Sequence, residues 1–210
     1  VTLQVLTAPS VAAIVRPVWA VVEPVRVLAR DPRQDGPLRE AAAALRARAE
    51  PAETMAAVRQ MYKQVGLDPT KTRPSSEALW RRVRKGDELP RINSLVDIIN
   101  WCSVESQLPF GLYDLDRVQP IEGAVTLRLG TSGEAYAGIR KDVVHVDGRL
   151  VLADGDGPFG NPTSDSARTM VTEATTRALV VIFAPAPVAP ALADRALALT
   201  VARLGESAGG

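Results

Sequence analysis

Histidine and cysteine are almost missing from this sequence, which has one of each, His145 and Cys102. A single cysteine closes no internal disulfide, which excludes a cysteine-framework secreted module and suits a reducing compartment, so a cytoplasmic address is expected. The same scarcity removes the usual zinc sites, which need several such ligands at short spacing. It also leaves a Ser-His-Asp hydrolase only His145 to use, and the Gly130 to Glu134 run lacks the G-x-S-x-G form. A lone histidine on a strand reads as structural. No metal and no cofactor are implied. An excess of one charge is missing too, with Lys plus Arg at 25 against Asp plus Glu at 24. There is then no global basic field for duplex DNA, and any RNA contact must be local. Long apolar runs are also lacking. Val11 to Val22 is interrupted by Arg16 and Pro17 and closed by Glu23 and Pro24, short of the roughly 20 residues a membrane span requires. Neither a membrane anchor nor a signal peptide is expected.

Two classes of segment are present. Val18 to Leu28, valine-rich and broken by prolines, predicts extended chain at a sheet edge. Four helices should follow. Leu38 to Arg48 is rich in Ala, Leu and Arg. A second helix opens at Pro51, carries Met55, Val58, Met61 and Tyr62 at helical spacing, and stops at Gly66. The third is capped by Ser75-Ser76-Glu77 and ends in Arg84-Lys85-Gly86. The fourth runs from Arg91 to about Ser106, with Ile92, Leu95, Val96, Ile99 and Cys102 as its buried stripe. Short β-branched segments then appear at Ala124–Leu129, Val143–Val146, Leu150–Leu152 and Ala178–Phe183. Residues 184–190 read as a proline-rich linker and 191–204 as a last helix. The expected class is α+β, a helical N-terminal half packed on a mainly antiparallel β-sheet, within one domain.

Three clusters carry potential chemistry. Asn93, Asp97 and Asn100 fall on one line of the fourth helix beside the apolar stripe. They form either a solvated edge that caps local backbone or the polar wall of an apolar pocket. In the loop from Asp154 to Thr169, Gly and Pro permit tight turns, and Asp165, Ser166, Arg168 and Thr169 crowd together. Pro158 stands where a calcium loop needs its third ligand. Finally, Arg81, Arg84 and Lys85 share a helix face near Trp80, with Lys63 as a neighbour. That patch is either solvated surface or a place for phosphates and a stacked base.

Val96-Asp97-Ile98-Ile99-Asn100, then Leu108 to Asp116, Gly123 to Arg128, Gly133-Glu134, Leu150 to Asp154 and Val171 to Thr176 come in a characteristic order. Over roughly Met61 to Phe183 they resemble the B-three/B-four tRNA-binding domain of the phenylalanyl-tRNA synthetase beta subunit. Arg73 to Glu77 and Asp165 to Thr169 look more like small stand-alone proteins with this domain. In the synthetase the domain hydrolyses wrongly attached amino acid, chiefly tyrosine. The resemblance thus implies a trans-acting aminoacyl-tRNA deacylase whose partner is the tRNA acceptor end. It implies Asp165, Ser166 and Thr169 as catalytic, Asn93, Asp97, Asn100, Glu134 and Arg168 as substrate-binding, and Lys63, Arg73, Arg81, Arg84 and Lys85 as RNA-binding. In those roles Asp97 would hold the substrate ammonium, Arg168 a terminal phosphate or the oxyanion, and Ser166 or Thr169 a water. The family pattern has a histidine where this chain has Gly111 and a glutamate where it has Val181, which leaves the amino acid open, L or D. A non-catalytic module that binds tRNA or an amino-acid-like ligand is the alternative.

Overall fold

The most apolar stretch, Ala178–Pro185 (ALVVIFAP), is a strand buried along its whole length. A computed structural model describes residues 3–139 and 141–208, and the other elements arrange themselves around this strand. In chain order they are β1 (Gln4–Thr7), β2 (Val15–Val22), α1 (Asp35–Ala47), α2 (Ala52–Gln64), α3 (Ser75–Arg84) and α4 (Ser94–Ser106). Then come β3 (Phe110–Asp114), β4 (Ala124–Leu129), β5 (Ala135–Gly138), β6 (Lys141–His145), β7 (Leu150–Asp154), β8 (Gly157–Gly160), β9, the buried strand itself, and α5 (Pro190–Ala208).

β9 lies between β2 and β3, antiparallel to both. A second sheet has the order β1-β4-β7-β8, and β5 pairs with β6. All strand pairings are antiparallel except β1 with β4, so the fold is α+β with a largely antiparallel sheet component. The N-terminal half is not purely helical: β1 and β2 precede the helices and pair with strands that follow them, β1 with β4 in mid-chain and β2 with β9 near the end. Helices α2, α4 and α5 meet the β2-β9-β3 sheet. A smaller core of Leu38, Leu45, Met55, Trp80, Val83 and Val104 joins the helices to each other.

Several local expectations shift. Ser75 and Ser76 do not cap α3; Pro74 occupies the N-cap without a side-chain bond, while the Ser76 hydroxyl donates to Gln107 O at 3.3 Å. Helix α4 starts at Ser94, because Asn93 caps it by accepting from Val96 N at 2.9 Å. Ile92 therefore lies before the helix and is 45% exposed rather than part of the stripe. Ala184 and Pro185 continue β9, which reduces the linker to residues 186–189, and α5 runs past Leu204 to Ala208. No helix among the described residues is long and apolar enough to cross a membrane.

Candidate functional site

The entry to α4 is fixed by short polar contacts. Ser94 N donates to Leu28 O at 2.9 Å, and Leu28 N returns a bond to Ser94 Oγ at 3.0 Å. The Asp97 carboxylate, 1% exposed, accepts from Ile92 N and Arg91 Nε, both at 2.7 Å. Arg91 in turn reaches Asp35 at 2.6 Å. Opposite this helix end, the outer edge of β3 is covered by the loop after β8, with Asp114 N donating to Thr169 O at 2.9 Å. Asn161 shapes that loop: its Oδ1 accepts from Thr163 N and Ser164 N, both at 2.8 Å, an Asx turn.

Between α4, β3 and the loop lies a cavity of about 390 Å³. Nine of its lining side chains are apolar, among them Val96, Ile99, Phe110, Leu112, Ile139 and Val171. Its polar wall includes Ser75, Asn93, Asn100 and Asp165. Asn93 spends its carbonyl oxygen on the cap and keeps its amide nitrogen as a donor. Asn100 is half-buried, and among the described residues its side chain makes no hydrogen bond.

Asp165 is the one carboxylate of the lining. The residue keeps partial exposure, but its Oδ1 is buried and lacks a hydrogen bond. Burial pushes its carboxyl up to about 7, against the opposing pull of the Tyr113 hydroxyl and the Leu112 backbone. The Tyr113 hydroxyl is also buried, and its geometry falls short of a full hydrogen bond. Its ring lies against Gly111 and Gly160, where a Cβ on either would overlap it. Gly111 and Val181, the two departures from the synthetase pattern, are direct partners in the β3–β9 register. The phenol of Tyr113 thus fills the space that a side chain at 111 would take.

The remaining expected site residues are engaged in internal bonds. Arg168 forms a two-pronged pair with Asp154 at 2.8 and 3.0 Å and donates to Arg117 O. Glu134 is locked to Arg128 at 2.7 Å on both oxygens, and these bonds hold its carboxyl down at about 2. Ser166 and Thr169 are buried behind the loop, with their hydroxyls 3.2 Å apart. None of these, nor Asp97, lines the cavity. Ile139, Asn161 and Tyr113 are not among the residues to which the sequence assigns a role, although the Asn-Pro-Thr-Ser turn at 161–164 is a visible signal. Among the described residues no three His, Cys, Asp or Glu side chains cluster as metal ligands.

Along α3, Arg73, Arg81, Arg84 and Lys85 line a shallow groove of about 630 Å³, while Lys63 stands outside it on α2. Trp80 is only 3% exposed and offers no stacking face, contrary to the sequence expectation. Beneath the groove, buried Glu77 accepts from Arg59 at 2.6 and 2.7 Å and from Arg81 at 2.8 Å, with Arg73 at 3.7 Å. Three cations around one carboxylate leave a local positive excess.

No curated protein matches the sequence. Among solved structures, an N-terminal fragment of the phenylalanyl-tRNA synthetase beta-subunit from Pyrococcus horikoshii superposes with a TM-score of 0.51 at 15% identity. The match covers 98% of this chain but 49% of that one, so this chain spans about half the length of its structural relative. The sequence model of the B3/4 domain matches residues 57–202, which include every wall of the cavity. This chain belongs to the B3/4 domain family.

Proposed function

We propose that this protein is a trans-acting aminoacyl-tRNA deacylase of the cytoplasm, which clears a wrongly attached amino acid by directing water onto its ester. The observation that carries the reading is an apolar cavity with three amides, Asn93, Asn100 and Asn161, and one carboxyl of raised pKa on its polar wall. An apolar side chain fits the lining by Phe110, Leu112 and Val171. Asn100 accepts from the substrate amino group, a role its free amide suits better than the engaged Asp97. Asp165 in its ionised form takes a proton from water as the water oxygen bonds to the ester carbonyl carbon. The Asn93 amide donates to the developing oxyanion. The intermediate collapses, the bond from carbonyl carbon to ribose oxygen breaks, and that oxygen takes the proton. Free amino acid and uncharged tRNA leave. Arg168, Ser166 and Thr169 hold the loop that aims Asp165. The basic groove along α3 receives the acceptor stem by its phosphates.

The alternative, a binding module without turnover, is favoured by the number of candidate residues already spent on internal bonds. A panel of mischarged tRNAs, L and D, separates the two. The deacylase reading expects selective release of amino acid at catalytic protein concentration and its loss in Asp165→Asn. Absence of release across the panel, with tRNA still bound, establishes the binding module.

A further inference from the structure

Behind the loop wall of the cavity lies a second cleft of about 270 Å³, and residues 161–164 line both. His145 and Arg149 stand in this cleft with the hydroxyls of Tyr62, Thr72 and Thr163. The half-buried arginines 16, 59, 91, 128, 168 and 203 each have a carboxylate partner. Arg149 is the half-buried arginine that has none among the described residues. A partly desolvated guanidinium without a carboxylate partner among the described residues, facing a recess where the Thr72 hydroxyl is left as a donor, has the makings of an anion site. The hydroxyl wall is held in place, because Tyr62 donates to Pro162 O at 3.0 Å and Thr163 Oγ1 to Tyr62 at 3.1 Å.

The position of the cleft narrows the choice of anion. One short stretch of chain borders all three recesses: Thr72 faces the cleft, Arg73 the basic groove and Ser75 the cavity. We propose that the cleft is a phosphate subsite, with Arg149 as its cation and the His145 ring as a further hydrogen-bonding group, for the nucleotide whose acyl group occupies the adjoining cavity. The proposal rests on the deacylase reading for the identity of the nucleotide, while its test needs no hydrolysis.

Adenosine 5′-monophosphate, adenosine and inorganic phosphate are titrated into the full chain and followed by amide chemical shifts, with Arg149→Gln, Arg149→Lys and His145→Gln alongside. The expected result is that the monophosphate shifts amides at 149 and 161–164 and binds roughly tenfold more tightly than either other ligand, as one charge-assisted contact provides. Arg149→Gln should erase that difference, Arg149→Lys should keep part of it, and His145→Gln should reduce it. Equal binding of monophosphate and adenosine, phosphate binding as tight as the monophosphate, or indifference to Arg149→Gln would each overturn the subsite. Arg149-dependent binding in a protein that releases no amino acid from any tRNA upholds the anion site and overturns only the hydrolase. Release of amino acid with nucleotide binding indifferent to residue 149 does the reverse.

Discussion

Asp165 couples the candidate chemistry to stability. Its carboxyl, near 3.8 in the unfolded chain and about 7 when buried, binds more protons in the folded state between those values. Stability is therefore full below about pH 4 and declines as pH rises toward 7. Asp165→Asn should flatten that decline and raise stability above pH 7 by on the order of a few kcal/mol, read from denaturant midpoints at pH 5 and pH 8. In the same variant the hydrolysis limb that rises through pH 7 should vanish. Tyr113 modulates this group, since its hydroxyl draws the Asp165 value down. Tyr113→Phe should move the rising limb to higher pH at a stability cost under about 1 kcal/mol, because the hydroxyl makes no full hydrogen bond. Gly160→Ala would drive a methyl into the Tyr113 ring and should cost roughly 2–3 kcal/mol in thermal or chemical unfolding. A sequence displays Gly111 and Tyr113 as neighbours but gives no sign that the phenol folds back over the glycine, because that depends on Gly160 arriving from another sheet.

At the level of elements, α2 and α3 are joined through Glu77 as much as through apolar contacts. The Arg59 and Arg81 bonds hold its carboxyl below the ordinary range, so its contribution is present above about pH 4.5 and lost as pH falls through its lowered value. Glu77→Gln should destabilise by about 2 kcal/mol at pH 7, less than a fully buried pair because its arginine partners are partly in water. The cost should shrink as the pH falls through the lowered value, where the wild-type carboxyl itself takes up a proton. Periodicity located the helices because their spacing is a local property: α2 and α3 lie within a few residues of where apolar and basic positions put them. What a carboxylate does is not local. Asp97 and Glu134 sit at the expected places in the chain, but Arg91 and Arg128 decide that they serve as struts rather than as walls of the cavity. Asn93, Asn100 and Asp165 line one recess because α4 and the loop after β8 converge there, which no local pattern displays.

For the molecule as a whole, the family-matched region omits two strands the fold uses. β2 pairs with β9 over eight positions, and β1 lies parallel to β4, yet both precede residue 57, where the family match begins. A fragment of residues 57–210 should expose one edge of the central buried strand and lose cooperative unfolding, as thermal melts would show. Adding residues 3–56 as a separate peptide should restore the transition if strand pairing is what is missing. β1 was not legible in advance: four residues with no turn signal of their own become a strand only beside β4.

The pairing of β2 with β9 also sets a timetable for synthesis. Val15 meets Pro185, so the first long strand waits for a partner made about 170 residues later. At about 5–20 residues per second, that wait lasts roughly ten to thirty seconds on the ribosome. During this interval a valine-rich segment has no place in a sheet and is open to neighbouring nascent chains. Arg16 and Pro17, which interrupt it, supply a charge and remove a backbone donor. The residues that keep this segment from reading as a membrane span thus also act as gatekeepers for an unfinished protein.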